Sequence, residues 1–258
     1  MAPTLSQAAA LLRRAGRSGA ARTGNAERWS ELESVFDPGQ RRNARDDYAT
    51  RVLLTGALRE HSCAIDIGAN NGAILEQIVA VAPEGRHFAF EPIPALADDL
   101  RRRFPAVTVT TAALSDVAGT AQFTVVVDAP ALSGLKRRED LPAETRRTEV
   151  IGVEVVRLDD VVPADASPAF VKVDVEGAEV GVLRGAQQLL AKHRPVVVFE
   201  HGSGGADLYG ETSGALWDLL DGCGLRIFDL EGRGPFDRST FEGLFTSPRS
   251  WNYAAIPR

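Results

Sequence analysis

Apolar and polar positions alternate along this chain in two rhythms, one of period near 3.6 and one of short unbroken apolar runs. Trp29, Leu32, Val35 and Phe36 share one helical face, and Tyr48, Val52, Leu53 and Leu58 share another, with Asp37-Pro38-Gly39 as a turn between them. The run Cys63 to Ile67 then reads as a strand. It enters a glycine-containing turn, and Ile74, Leu75, Ile78 and Val79 predict a helix that stops near Pro83-Glu84-Gly85. His87 to Phe90 is a second strand, closed by Glu91, with Pro92 and Pro94 shaping its exit. Ala95–Phe104 is a short helix with Leu96 and Leu100 inward and Arg101-Arg102-Arg103 solvated, and Val107 to Thr110 is a third strand.

The middle of the chain departs from this alternation. Ala121–Val127 and Val150–Leu158 are rich in strand formers and flank a polar stretch from Ser133 to Arg147, which predicts a hairpin or side flap. Alternation resumes with Phe170 to Val175, an apolar run of the kind that is buried on both faces of a parallel sheet. A helix over Ala178–Leu190 follows, then strand Val196 to Phe199, loop Gly204–Gly210, and a helix marked by Leu216, Leu219 and Leu220. The chain ends with strand Leu225–Leu230, a loop-rich Gly232–Arg249 and strand Trp251–Ile256. The pattern is α/β, Rossmann-like, with helices on both faces of a mostly parallel sheet, a β-hairpin insertion and an N-terminal helical extension. The organisation expected is a helical extension or lid over 1–60, suited also to self-association, and a main domain over 61–258.

Composition narrows the function classes. Hydrophobic content of 44% and charged content of 25% are ordinary for a globular protein. The formal net charge of -6 argues against a nucleic-acid partner. No apolar run approaches the ~18 residues of a membrane span, and a cytoplasmic location is the default. Cys63 and Cys223 lie far apart and the four histidines are scattered, so neither a disulfide nor a zinc site is predicted. Residues 1–26 carry Arg13, Arg14, Arg17 and Arg22 and no acidic residue, a composition shared by transit peptides and by plain, weakly helical extensions.

The candidate chemistry begins at Ile65-Asp66-Ile67-Gly68-Ala69-Asn70-Asn71-Gly72. Gly68 and Gly72 permit a sharp turn and a close ligand. Asn70 stands where a dinucleotide turn has its second glycine, and the third is missing, which disfavours a nicotinamide oxidoreductase. A P-loop lysine is absent as well. Asp66 just before the turn suits a cationic ligand such as S-adenosylmethionine, and Glu91 is placed at the neighbouring strand tip to accept from ribose hydroxyls. Ala113 and Leu114 would border the adenine, with Ser115 and Asp116 beside them.

Asp66, Glu91, Ser115, Asp174 and Glu200 all fall at strand C-termini, the edge where open α/β sheets bind ligands. They describe a donor pocket next to a polar acceptor pocket. Asp174 and His201 are candidate general bases, with Glu200 beside them. Asp174 also suits orienting the donor or, with Glu200 or Glu176, a divalent metal, although carboxylates alone do not specify one and no metal site is favoured.

Four segments occur in order: the Asp66 turn, Ala89-Phe90-Glu91-Pro92, Ala113-Leu114-Ser115-Asp116 and Lys172-Val173-Asp174-Val175-Glu176-Gly177-Ala178-Glu179. Leu183-Arg184-Gly185-Ala186 and Arg194-Pro195 follow. This series resembles the FkbM family of S-adenosylmethionine-dependent methyltransferases over about Ser62 to His201. The resemblance implies a class I methyltransferase sheet of seven strands with the last antiparallel, and O-methylation of a hydroxyl on a natural product (secondary metabolite) or a sugar or glycan. It carries cofactor roles to Asp66, Gly68, Asn70, Asn71, Gly72, Glu91, Pro92, Ala113, Leu114, Ser115 and Asp174. A non-catalytic nucleotide-binding module is the remaining alternative.

Overall fold

The computed structural model describes residues 38–136, 147–203, 205–246 and 251–258. The chain divides into two units, Met1–Ala49 and Thr50–Arg258. The arginine-rich leader and the helix expected around Trp29 to Phe36 lie outside the described residues. Pro38 does not sit in a turn. It opens helix α1 (Pro38–Ala57), a position where its missing N–H is not needed.

The second unit is built on a seven-stranded sheet. Its strands are β1 (Cys63–Ile67), β2 (Phe88–Phe90), β3 (Thr108–Thr110), β7 (Pro168–Val173), β8 (Val196–Glu200), β9 (Leu225–Asp229) and β10 (Asn252–Pro257). Their order is β3-β2-β1-β7-β8-β10-β9. Every neighbouring pair is parallel except those of β10, which runs antiparallel to β8 and β9. This is the expected class I methyltransferase sheet. The insertion is the expected hairpin, β5 (Gly119–Val126) against β6 (Thr148–Val156), extended by a two-residue strand β4 (Ala113–Leu114) parallel to β6. Ala113 and Leu114 are therefore strand residues and not a loop.

Two apolar layers hold the sheet. Ile65, Ile67, Val171, Val173, Val197 and Phe199 point to one face. Ala64, Phe170 and Val198 point to the other, where Leu54 and Leu58 and then Ile78 and Ala82 of α2 (Ala73–Val81) cover them. Each such buried aliphatic or aromatic side chain stabilises the fold by roughly 1.5–3 kcal/mol. The inward stripe of α1 differs from the expected one. Leu54 is buried, but Tyr48 and Val52 are 68% and 54% exposed. Leu58 is buried and Leu53 packs against the same cluster, so the expected stripe holds at its C-terminal end and fails at Tyr48 and Val52.

The helix expected over Ala178–Leu190 is two helices, α5 (Glu179–Arg184) and α6 (Gln187–His193). Two tertiary contacts break it. A Cβ on Gly185 would lie 2.3 Å from the Ser115 carbonyl oxygen, so the backbones abut there. The Asp159 carboxylate, in short helix α4 (Leu158–Val161), accepts from Gln188 N–H at 3.0 Å and Leu189 N–H at 2.9 Å and starts α6 afresh. The Gly204–Gly210 stretch contains a 3₁₀ turn, Ala206–Tyr209. The Gly232–Arg249 stretch contains α8 (Arg238–Gly243), whose N-cap Asp237 accepts from Thr240 N–H. The remaining helices, α3 (Pro94–Arg103) and α7 (Ser213–Gly222), lie where their patterns predict. Among the described residues no helix is long and apolar enough to cross a membrane.

Register decides what meets at the rim. Asp66 on β1 pairs with Ala89 on β2 and Lys172 on β7, and Lys172 pairs with Val198 on β8. Paired residues point to the same face, and so do residues two further on. Glu91, Asp66, Lys172, Asp174 and Glu200 therefore share one parity along the C-terminal edge.

Candidate active site

The donor half is a turn suspended from Glu91. Glu91 Oε2 accepts from Asn70 N–H at 2.8 Å and Oε1 from Ile93 N–H at 2.9 Å. Burial raises the Glu91 pKa, and these two N–H groups pull it back down. The turn uses left-handed backbone at Gly68 (φ 76°), Asn70 (φ 46°) and Gly72 (φ 79°). The Cβ direction of both glycines is filled by protein. A Cβ on Gly68 would lie 1.8 Å from the Asp174 carbonyl oxygen, and one on Gly72 would lie 2.7 Å from Leu100 Cδ2. Gly68 lets β1 and β7 end together, and Gly72 lets α2 start against α3. Asn71 Oδ1 accepts from Ala73 N–H at 3.1 Å, and the Asn71 carbonyl accepts from Arg103 at 2.6 Å. Arg103 is thus more than a solvated helix end. Pro92 is half-buried in the bend that follows β2.

Asp66 is 2% exposed, and its Oδ2 has no hydrogen-bond partner among the described residues. Burial raises its pKa to about 7. Lys172 opposes that rise, Asp174 and Glu91 add to it, and the Leu75 N–H in the first turn of α2 opposes it. A buried carboxylate oxygen without a donor is what a cationic ligand at this edge would satisfy. The residues present therefore fit S-adenosylmethionine.

Ala113 and Leu114 are buried, Ala113 among Phe123, Val153 and Val155 and Leu114 in the main core. Ser115 N–H donates to the Val156 carbonyl, and its hydroxyl donates to Asp116 Oδ1 at 3.2 Å. Asp116, expected beside the adenine amino group, instead accepts from Arg184 at 3.0 Å, and Arg184 also forks onto Glu211 at 3.1 and 3.0 Å. Burial works to raise the Asp116 pKa, but Arg184 and the Ser115 hydroxyl outweigh it and hold the group below its ordinary value. Arg184 was visible in sequence only as part of Leu183-Arg184-Gly185-Ala186.

The other half of the rim gathers Lys172, Asp174, Glu176 and Glu200. Lys172 Nζ donates to Asp174 Oδ2 at 3.0 Å; the lysine side chain is 8% exposed and the aspartate 44%. Carboxylate oxygens of Asp174, Glu176 and Glu200 lie within 4.8 Å of one another, close enough for three ligands of one divalent cation. Burial pushes Glu200 well above the usual carboxylate range; Asp174, Glu176 and Glu179 push the same way, and Lys172 pulls back. Glu179 is a buried support of the loop before α5. It is 1% exposed and accepts from Val175 N–H at 3.0 Å and Gly177 N–H at 3.1 Å, holding the loop on which Glu176 sits with φ 57°. Its pKa is raised by burial to about 7.

His201 is 2% exposed. Nε2 is 2.9 Å from Ser213 Oγ, and the ring stacks on Phe241 with centroids 5.5 Å apart. Burial lowers its pKa to about 4. The ring is neutral and enclosed, unlike Asp174, which lies one strand nearer the turn after β1. The flap also reaches this half. Lys136 Nζ donates to the Leu208 carbonyl at 2.8 Å, and Lys136 N–H donates to Tyr209 Oη at 3.0 Å.

Comparison with known proteins shows the family of the chain. The profile described as Methyltransferase FkbM domain matches residues 66–227, well over half of the chain. No curated protein sequence matches the chain. A methyltransferase FkbM from Methylobacillus flagellatus is 20% identical, with TM-score 0.48 over 81% of this chain and 47% of that one. The present chain thus spans about half the length of that protein. A TehB-like SAM-dependent methyltransferase from Corynebacterium glutamicum is 12% identical, with TM-score 0.45 over 93% and 99%. A sugar N-methyltransferase from Streptoalloteichus is 11% identical, with TM-score 0.43 over 83% and 87%. The chain belongs to the FkbM family of methyltransferases, whose methyl donor is S-adenosylmethionine.

Proposed function

We propose that this protein is an O-methyltransferase that transfers a methyl group from S-adenosylmethionine to a hydroxyl of a natural product or a sugar. The observation that carries the reading is the row of carboxylates of one parity along the sheet edge, Glu91 and Asp66 in one half and Asp174 and Glu200 in the other. Asp66 would meet the positive charge of the donor and Glu91 its ribose hydroxyls. When bound there, the donor supplies a methyl on a sulfonium, an excellent leaving group. Positioning then accounts for most of the rate, up to about 7–11 kcal/mol of the barrier.

A hydroxyl acceptor must lose its proton as oxygen attacks the methyl carbon. A base matched to neutral pH is the effective one. Glu200 is shifted in the direction such a base needs, because burial and its acidic neighbours raise it. Asp174, held by Lys172 and open to the rim, would orient the hydroxyl. His201 is assigned a packing role because its ring is enclosed and neutral. With Lys136 held to Tyr209, the flap would border the acceptor and select its shape.

The test is a donor-consumption assay against a panel of hydroxylated metabolites and sugars. Wild type should turn over at least one acceptor. Glu200→Gln and Asp174→Asn should bind the donor normally and lose about 10²–10⁴-fold in turnover. Donor binding without transfer to any hydroxyl, together with transfer to an amine, would overturn O-methylation. Undiminished turnover in Glu200→Gln would remove it as the base.

A further inference from the structure

We propose that Lys172 is the built-in counter-cation of the acceptor half: its ammonium fixes the Asp174 carboxylate and balances Asp66 and Glu200 to either side, filling the electrostatic role of a divalent ion. The inference rests on the reading above of which half holds the acceptor. It starts from the strand itself. Phe170, Val171 and Val173 of β7 are each 1% exposed or less, in the middle of a parallel sheet where apolar residues are the rule. Lys172 interrupts them at 7% exposure. A buried ammonium is tolerated only beside compensating charge. Packing gives no reason for it, since Ala64 and Val198 on the same face are ordinary core residues.

The register supplies the compensation. Asp66 is the direct neighbour of Lys172 on β1, and Asp174 and Glu200 lie two positions beyond the Lys172–Val198 pair on the same face. The ammonium is 3.0 Å from Asp174 Oδ2. Burial alone would lower the Lys172 pKa, yet Asp174, Glu200 and Asp66 outweigh it and leave it raised, so the group stays charged. Carboxylate oxygens of Asp174, Glu176 and Glu200 lie within 4.8 Å of one another, and Lys172 is the cation hydrogen-bonded into that group, at Asp174. Lys172 is therefore a positioning residue, acting through Asp174 rather than on the substrate.

Removing the ammonium should leave the three carboxylates as a vacant cation site. The experiment measures Mn²⁺ binding by the loss of its free electron-paramagnetic-resonance signal, in wild type, Lys172→Met and Lys172→Arg. S-adenosylmethionine titrations are run on the same samples. Lys172→Met should bind one Mn²⁺ with affinity raised about tenfold or more over wild type, and Lys172→Arg should not. With an accepted substrate, Lys172→Met should lose kcat by about 10- to 100-fold with a smaller change in acceptor KM, and Lys172→Arg should recover part of it. A purely structural lysine would change melting temperature and leave Mn²⁺ affinity alone. The inference is overturned if folded Lys172→Met binds Mn²⁺ no better than wild type. It is equally overturned if wild type already binds Mn²⁺ tightly, which requires no variant to fold. Absence of donor binding in wild type would instead overturn the functional reading.

Discussion

Gly68→Ala should unfold this protein earlier and disturb its site at once. Residue 68 has φ 76°, and an L side chain in left-handed backbone costs about 1–2 kcal/mol. The new Cβ would lie 1.8 Å from the Asp174 carbonyl oxygen, which is backbone and cannot rotate away. The ends of β1 and β7 must part, weakening the bond from Asp174 N–H to the Ile67 carbonyl, now 3.0 Å. A lost backbone hydrogen bond adds about 1 kcal/mol. Together the loss is roughly 2–4 kcal/mol, or about 5–15 °C in melting temperature for a domain of this size. Circular dichroism melting measures it, and donor titration reports the shifted turn. Gly152→Ala is the control: it lies within β6, and its Cβ would meet no atom within 4 Å. It should melt within about 2 °C of wild type. If Gly68→Ala also melted within that margin, the close approach of Asp174 to the turn would be wrong.

Other consequences are equally direct. Asp66 has a folded pKa of about 7 against 3.8 ordinarily, so between these values the folded chain holds the proton that the unfolded chain has released. Stability from this group is therefore full at low pH and is lost as pH rises to about 7. Wild type should lose melting temperature relative to Asp66→Asn across that window, and a pH-independent difference would contradict the assignment. His201 has the opposite sign: its pKa falls from 6.5 to about 4, so its contribution is present above 6.5 and lost as pH drops. His201→Gln should lower melting temperature, by loss of ring packing, while the pH profile of turnover above neutrality stays that of wild type; a displaced profile would return His201 to the chemistry. Asp159→Ala should cost about 1 kcal/mol by uncapping α6, read from urea midpoints, with donor affinity unchanged.

The sequence disclosed what depends on local pattern. Buried strands β1, β7 and β8 were legible as unbroken apolar runs, and their charged tips followed from where those runs stop. The hairpin was legible from two strand-rich arms around a polar stretch. What escaped was set by contacts between distant segments. No periodicity announces that Gly185 abuts Ser115, or that Asp159 will cap a helix thirty positions away. The spacing of Gly68 and Gly72 marked a turn, but only the structure shows that β7 and α3 abut it in the Cβ direction of each glycine. Asp116 illustrates the same limit, because its partner Arg184 lies on another element. In the sequence Lys172 stands only within the string Lys172 to Glu179; the parity that puts Asp66 and Glu200 around it comes from strand order.

The account depends on acidic groups at one sheet edge holding a cationic donor, and isothermal titration tests that most directly. S-adenosylmethionine should bind wild type with one site, and Asp66→Asn and Glu91→Gln should each weaken it by about tenfold or more, as lost hydrogen bonds to charged groups of about 1.5–3 kcal/mol require. Binding that is absent in wild type, or unaltered in both variants, would contradict it.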